Sequence, residues 1–498
     1  MIHHKANFTE WKKPRTLGVA AVAGLLFLVS ACAVGPDYVK PKTEAPPAYK
    51  EAAGWKVAEP QETVVRGSWW KIFKDPQLDA LAEQVTVSNQ NVAAAEAQFR
   101  QARAAVQAAR AGYFPTVSVG AQATRSRRSE NAPGSSVGLS TDPVSDLLLT
   151  GTASWEADVW GRVRRTVEAS QAGAQASAAD LQAILLSTQT ALAQNYFQLC
   201  ALDAQKKFLD ETVAAYQRAL ELTKRRYASG VSARNDVLLA ETQLKTTHTQ
   251  AIDVGVQRSQ LEHAIALLVG KSPSVFSIPP TPLAVKPIVI PVGLPSELLE
   301  RRPDIAGAER RLAAANAQIG VAKAAYFPSI VLNATGGFES SHFSDWLNWP
   351  SRLWAVGLAM TETVFDGGLR GALTDQARAQ YDATIANYRQ TVLGGFLEVE
   401  DNLAALRILE EEARVQGEAV DAARKSLEIS RNQYKAGTIS YLEVVVVQAI
   451  WLANERNAID ILGRRMIASV LLVKAVGGGW NASELPSNKD LNVSNNDK

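Results

Sequence analysis

The chain contains one pattern twice, at a spacing of a little over two hundred residues. Tyr113-Phe114-Pro115 follows an alanine-rich helical stretch, and Tyr326-Phe327-Pro328 follows another, 213 positions later. Further along, the segment from Tyr227 to Ser232 resembles the segment from Tyr434 to Ser440, at an offset of 207. A tandem duplication of this size predicts two similar halves. Surface that one half cannot bury alone must be covered by the other half or by further copies of the chain.

Residues 1–31 have the pattern of a bacterial lipoprotein signal peptide. Basic residues precede an apolar run from Leu17 to Val29, and Val29-Ser30-Ala31-Cys32 resembles a lipobox. The alternative is an ordinary signal peptide followed by a chance cysteine. We favour lipidation of Cys32, and Ala33 in the next position favours sorting to the outer membrane by analogy with such lipoproteins. Acyl chains on Cys32 would anchor the chain, and residues 32–74 are predicted to be this anchor and an extended, proline-rich leader.

Composition and motifs argue against an enzyme or a nucleic-acid-binding protein. The formal net charge is only +2, and part of the basic excess lies in residues 1–31. The five histidines are scattered without metal-ligand spacing, so neither a metal nor a cofactor is expected. Gly270-Lys271-Ser272 lacks the earlier glycine of a phosphate-binding loop. Cys200, the second cysteine, is predicted to be a buried thiol, and no transmembrane helix is predicted after the signal peptide.

The first repeat is predicted to span residues 75–270. Asp75 and Pro76 resemble a helix N-cap and first helical position, and helical sequence continues to Ala111. Apolar and polar residues then alternate over two stretches, each long enough to cross a bilayer as a tilted strand. Heptad spacing follows in a long segment without proline, which indicates coiled-coil packing. The predicted strands are ~116–125 and ~148–160, and the predicted helices are ~162–228 and ~235–270.

The second repeat is predicted to span residues 297–476, after a proline-rich linker at 271–296. Its strands are predicted at ~329–338 and ~354–365, and its long helices at ~369–436 and ~441–476. Residues 477–498 are polar and are predicted to be a disordered tail.

Four membrane strands are too few to close a barrel. An open sheet edge in lipid leaves N–H and C=O groups unpaired, at a cost of several kcal/mol each. Closure therefore requires several chains: a dimer supplies the minimum of about eight strands, and a trimer supplies twelve. The pattern alone leaves this choice open.

Several motifs resemble those of one known family. They are Asp75-Pro76-Gln77-Leu78, the segment from Trp155 to Arg162, Arg301-Arg302-Pro303-Asp304 and Phe365-Asp366-Gly367-Gly368. Together with the lipobox, they resemble the outer-membrane efflux factor family, which is TolC-like, and within it the lipoprotein branch of NodT/OprM-like proteins. The resemblance extends from about Asp37 to Gly479.

This resemblance implies a mainly α fold with a β membrane part. It implies a homotrimer in which four strands per chain form a 12-stranded β-barrel, and two coiled-coil helical hairpins per chain form a long α-helical barrel. The implied partners are a periplasmic adaptor (membrane fusion) protein, an inner-membrane pump and outer-membrane lipid. The implied location is the bacterial outer membrane, with a lipid anchor and an extension into the periplasm.

The resemblance implies that the two turns between the long helices are adaptor-docking tips in the periplasm. Their residues are Tyr227, Gly230, Val231 and Ser232 in the first tip, and Tyr434, Gly437, Thr438, Ile439 and Ser440 in the second. Gly230 and Gly437 also fit simple helix C-caps. The channel gate is expected just inside these tips.

Related channels often carry a carboxylate ring near the gate, but this chain has Val446 at that position. Val446 would form an apolar constriction and Leu442 a hydrophobic ring. Asp236 and Glu443 are the nearest acids, and an outward, solvent-facing position for both is about equally compatible with the sequence. Trp155, Trp160 and Trp354 lie near predicted strand ends and are expected at the membrane interface, with burial in the core as the alternative.

The family resemblance, together with the alternating strands, predicts a passive exit duct of a tripartite efflux or export system for drugs or other small molecules. The alternative is a structural lipoprotein that bridges the periplasm without a pore. The alternating strands favour the duct, because a bridging protein has no need of lipid-facing strands. A lipid-anchored enzyme would need a catalytic constellation that the sequence lacks.

Overall fold

The computed structural model describes residues 33–41, 45–52, 67–129, 142–281, 283 and 297–492. The signal segment 1–31, Cys32 and residues 493–498 lie outside this range. The first half contains α1 (Pro76–Ser88), α2 (Gln90–Ala111), β1 (Thr116–Ser126), β2 (Val144–Glu156), α3 (Arg162–Ala228) and α4 (Arg234–Leu268). The second half contains α5 (Leu298–Arg301), α6 (Pro303–Ala324), β3 (Ser329–Ser340), β4 (Arg352–Thr361), α7 (Leu369–Ala436), α8 (Tyr441–Ala475) and α9 (Asn488–Asn492).

The four strands form one antiparallel sheet in the order β1-β2-β3-β4. Two predicted strand boundaries are wrong: β2 lies at 144–156 instead of ~148–160, and β4 at 352–361 instead of ~354–365. β2 and β4 each end shortly before an aspartate, and the carboxylate of this aspartate accepts backbone N–H groups at the start of the next helix. Asp158 accepts from Val163 and Arg164, and Asp366 accepts from Gly368 and Arg370. These caps require the chain to leave the sheet earlier than the alternation indicates.

The long helices form two antiparallel hairpins, α3 with α4 and α7 with α8. Because α3 also packs against α8, the helical wall has the order α4-α3-α8-α7. Heptad positions such as Leu192, Leu199, Val392 and Val399 are buried in this packing, as the spacing of seven predicts. Two helical hairpins and four strands per chain confirm the predicted fold class. Among the described residues, no helix has both the length and the apolar character needed to cross a bilayer.

The helical stretch predicted from Asp75 to Ala111 is broken at Asn89. Its side-chain oxygen accepts the backbone N–H groups of Asn91 and Val92, and its amide nitrogen donates to the carbonyl of Leu268 at 2.7 Å. One side chain therefore begins α2 and attaches it to the end of α4. The break reflects this tertiary contact, which helical periodicity cannot indicate.

The leader and the tail are more ordered than predicted. The leader, predicted to be extended over 32–74, forms a 3₁₀ turn at Trp69–Phe73 whose aromatic side chains are buried against the helices. The prediction of a disordered tail over 477–498 is wrong for residues 477–492. There, Trp480 packs on α3 and α6, and Leu491 is buried between α2 and α3. Two apolar anchors outweigh the polar composition of this segment.

Arg302 joins three helices at the centre of the chain. Its buried guanidinium donates to Glu398 on α7 at 2.7 Å, to Asp304 on α6 at 2.7 Å and to the carbonyl of Ala475 at the end of α8 at 3.1 Å. Burying an arginine requires such complete pairing. Through these contacts, Arg302 connects α6 of the second half to both of its long helices, α7 and α8.

Candidate functional site

One face of the sheet is apolar across all four strands. The register places Ile330 opposite Met360, and Leu332 between Leu358 and Trp155. Residues directly opposite each other share a face, so the apolar sets of the strands coincide. The members of this face include Val117, Val119, Leu149, Ala153, Trp155, Ile330, Leu332, Phe338, Trp354, Val356, Leu358 and Met360. The other face is mainly hydroxyl and amide groups, such as Ser118 and Thr152, whose oxygens are 2.7 Å apart.

The apolar face is uncovered and both edges of the sheet are open within the chain. Trp354 and Met360 are 77% and 68% exposed, which is unfavourable for a surface in contact with water. β1 and β4 are the outer strands, so each has one edge without a partner among the described residues. A sheet of this kind fits a lipid environment, provided that further strands cover its edges.

The three predicted interfacial tryptophans lie at the two ends of the strands. At the end nearest the helices, the indole N–H of Trp155 donates to the carbonyl of Tyr113 at 3.0 Å. The indole N–H of Trp160 donates to the carbonyl of Pro328 at 2.7 Å, and its ring stacks on Phe327 at 4.8 Å. The repeated Tyr-Phe-Pro motifs therefore receive these tryptophans. Trp354 lies at the opposite end, near the loop between β3 and β4.

The two helical tips have the same backbone construction. Gly230 and Gly437 have φ angles of +74° and +77°, which glycine adopts at little cost. Their N–H groups donate to the carbonyls of Tyr227 and Tyr434, and the next residue donates one position earlier. Val231 is 65% exposed, and Tyr227, Gly230, Gly437 and Thr438 are also at the surface. These residues are available to a partner, and their docking role stays a prediction.

Tyr434 is not at the surface, which corrects its place among the docking residues. Its ring is buried beneath Arg226, whose guanidinium carbon lies 4.7 Å from the ring centroid, and it contacts the ring of Tyr441 at 5.2 Å. Arg226 also donates to the carbonyl of Tyr434 at 3.3 Å. We call Arg226, Tyr434 and Tyr441 the tip cluster. It joins the C-terminal ends of α3 and α7, and therefore the two hairpins.

The gate candidates divide into an apolar and an acidic group. Leu442 and Val446 are exposed and lie four residues apart on one face of α8, which continues at Ile450. Glu443 belongs to a capping box, because its carboxylate accepts the backbone N–H and the hydroxyl of Ser440 at the start of α8. Asp236, in the first turn of α4, is half-buried. Near the tip, α8 therefore presents an exposed apolar stripe formed by Leu442, Val446 and Ile450.

The structure adds Arg226 and Arg302 to the residues that sequence reasoning selected. Arg226 had one indirect signal, because it directly precedes Tyr227 in the repeated tip segment. Arg302 belongs to the Arg301-Arg302-Pro303-Asp304 motif, but the sequence did not indicate what its side chain does. Within the described part of the chain, no cluster of three or more histidine, cysteine or acidic side chains could hold a metal ion.

A lipid-compatible sheet continued by a wall of long helical hairpins defines a subunit of an outer-membrane channel. Comparison with known proteins identifies the family. The chain matches the outer membrane efflux protein family over residues 81–271 and 294–478, and it belongs to that family. The two matched stretches correspond to the two repeats.

Relatives match along almost the whole chain. It is 29% identical to the probable efflux pump outer membrane protein TtgC of Pseudomonas putida over 482 residues, which are 96% of this chain and 99% of the relative. It is 31% identical to the pyoverdine export outer membrane protein OpmQ of Pseudomonas putida, over 86% of this chain and 92% of the relative. It is 27% identical to the cation efflux system protein CusC of Escherichia coli, over 91% and 96%.

Solved structures agree with the fold. The outer-membrane channel OprN superposes with a TM-score of 0.83 at 30% identity, covering 90% of this chain and all of that one. CusC superposes with a TM-score of 0.80 at 25% identity and the same coverage. The chain is an outer-membrane efflux channel component of a tripartite export system that extends into the periplasm.

Proposed function

We propose that three copies of the chain close into one channel that serves as a passive exit duct for drugs or other small molecules. The single observation that carries this proposal is the four-stranded sheet with a continuous apolar face and two open edges. Pairing β4 of one copy with β1 of the next satisfies these edges, and three copies give a 12-stranded barrel.

The helical wall supports the same closure. Its outer helices are α4 and α7. Both carry exposed apolar side chains: Leu238, Ile252 and Val256 on α4, and Leu393, Leu397 and Ile408 on α7. Packing α7 of one copy against α4 of the next would bury them.

Acylated Cys32 is proposed to anchor each subunit at the same level as the strand ends. Ala33, the next residue, packs beside Gly161, and the N–H of Val34 donates to the carbonyl of Trp160 at 3.0 Å. Lipid chains attached at residue 32 would thus start next to the periplasmic end of the barrel and enter the adjacent leaflet. Incorporation of labelled palmitate into the wild type, and its absence in Cys32→Ser, would test the anchor.

The tips are proposed to dock on a periplasmic adaptor that connects the duct to an inner-membrane pump. The names of the relatives mention toluene, pyoverdine and cations. Because one fold is associated with such different molecules, we infer that the duct does not select its cargo and that the pump does.

Two measurements test the duct. Protein extracted from outer membranes is expected to be a trimer by native mass spectrometry and to conduct ions in planar bilayers. A monomer recovered from the soluble periplasm would refute the closure.

A substitution pair tests the tips. Val231→Asp is expected to abolish export in cells while trimers persist, because it places a charge on an exposed apolar tip residue. Val87→Asp, at another highly exposed valine far from the tips, is the matched control. Full export in the Val231→Asp strain would exclude this tip as a docking surface.

A further inference from the structure

The loop between β3 and β4 has an apolar surface that neither the duct nor the docking tips explains. Phe343, Leu347 and Trp349 are 78%, 62% and 73% exposed in this loop of eleven residues, 341–351. A loop in water normally presents polar side chains, and the described start of the β1–β2 loop does so with Arg127, Arg128 and Ser129. Exposed aromatic residues grouped in one loop mark an interaction surface.

The strand register shows on which side of the sheet this surface lies. Arg352 is opposite Phe338 and two positions before Trp354, so its side chain stands on the apolar face. Its guanidinium carbon lies 3.9 Å from the centroid of the Trp349 ring. Trp349 is therefore held on the apolar side of the sheet, and the loop surface continues the lipid-facing strip of Trp354, Val356 and Leu358.

The chemistry at this position suits a lipid headgroup. Tryptophan prefers the boundary between water and hydrocarbon, and arginine binds phosphate oxygens through two parallel N–H donors. Arg352 is exposed, its guanidinium stacks on the ring of Trp349, and it forms no ion pair with another described residue. An aromatic ring and a cation thus lie side by side where the lipid-facing strip meets the outer headgroup region.

We propose that the β3–β4 loop is a lipid-binding surface. Phe343, Leu347 and Trp349 enter the headgroup region of the outer leaflet, and Arg352 binds the phosphate of an anionic lipid there. The inference rests on the sheet lying in the membrane. It adds to the channel a specific contact with the outer leaflet in the second repeat.

Fluorescence quenching in vesicles tests the position of the loop. The full chain is reconstituted with lipids that carry bromine near the headgroup end of their acyl chains, and the wild-type signal minus that of Trp349→Phe isolates residue 349. Quenching by brominated lipid, with protection from aqueous acrylamide, is expected. The reverse pattern would overturn the proposal, because it places the loop in water or over the channel mouth.

Trp354→Phe, treated in the same way, separates the two possible failures. If Trp354 is quenched by brominated lipid and Trp349 is not, only the loop proposal fails. If neither is quenched, the sheet is not in lipid and the proposed duct fails as well.

A second pair of variants tests the phosphate contact. Wild-type Trp349 is expected to be quenched more by brominated phosphatidylglycerol than by brominated phosphatidylcholine. Arg352→Gln should lose this preference, and Arg378→Gln, at an exposed arginine of α7, should keep it. Loss of the preference in wild type on adding millimolar inorganic phosphate would assign Arg352 to free phosphate. Disulfide formation between copies of Leu347→Cys would assign the loop to a subunit contact. Either result would overturn the proposal.

Discussion

Replacing Arg226 by methionine should shift the channel towards its open state. The guanidinium covers the buried ring of Tyr434 at 4.7 Å and joins the ends of α3 and α7. We propose that opening at the tips separates the two hairpins and breaks this contact in each subunit. Methionine keeps most of the apolar stem, so the substitution removes mainly the cation–π interaction and one hydrogen bond.

The size of the effect follows from the geometry. A partly desolvated cation–π pair contributes about 1 kcal/mol, and three copies contribute about 3 kcal/mol in the proposed trimer. That energy corresponds to about a 150-fold change in the closed–open equilibrium, since about 1.4 kcal/mol is tenfold. Single-channel recording in planar bilayers measures the open probability directly.

Arg225→Met is the matched control. Arg225 is an exposed neighbour, and among the described residues its guanidinium donates only to the carbonyl of Glu221 within its own helix. It should leave the open probability unchanged. An open probability of Arg226→Met equal to that of wild type would refute the idea that the tip cluster holds the hairpins together.

Three further predictions concern the tips and the gate. Gly437→Ala should lower the thermal stability of the channel by about 1–2 kcal/mol per subunit, because φ is +77° there. Gly417→Ala is the control on α7, where an added methyl group meets open space, and it should raise the stability by about 0.5–1 kcal/mol. Equal melting curves for the two variants would contradict the conclusion that Gly437 is needed for its positive φ. Val446→Asp should make the conductance sensitive to block by divalent cations, whereas wild type should not be blocked; block of both proteins alike would exclude Val446 from the pore. Burial raises the pKa of Tyr441 to about 12. In the unfolded chain the Tyr441 hydroxyl ionises near pH 10, so the free energy of unfolding should fall between about pH 10 and about pH 12. Tyr441→Phe should reduce that loss when melting temperatures are measured over this pH range.

The repeat and its periodicities predicted most of the fold. Alternation of apolar and polar residues predicted that each strand has one apolar face. The strand register agrees, because it places Val117 and Val119 of β1 on the same face as Ile330 and Leu332 of β3. This succeeds because alternation along a strand is a local property of the backbone. Heptad spacing likewise predicted which positions of α3 and α7 are buried.

Apart from the strand boundaries, the errors occurred where a distant contact decides a local structure. The break at Asn89 depends on the carbonyl of Leu268, and the order of the tail depends on sites for Trp480 and Leu491 on other helices. A polar tail is disordered when its few apolar side chains have nowhere to pack, and the composition of the tail does not show that other helices provide such places. Among the site residues, the burial of Tyr434 depends on Arg226, which lies 208 positions away in the chain.

The sequence by itself determined the two-fold repetition, the lipid-facing set of side chains and the need for further copies, because these follow from periods of two and seven and from the number of strands. Only the tertiary structure decided which tip residues face outward, which arginine connects the two hairpins and on which side of the sheet Trp349 lies. These outcomes depend on the register between strands and on the packing of helices that are far apart in the chain. Local periodicity indicates which faces are buried, but it does not specify these distant contacts.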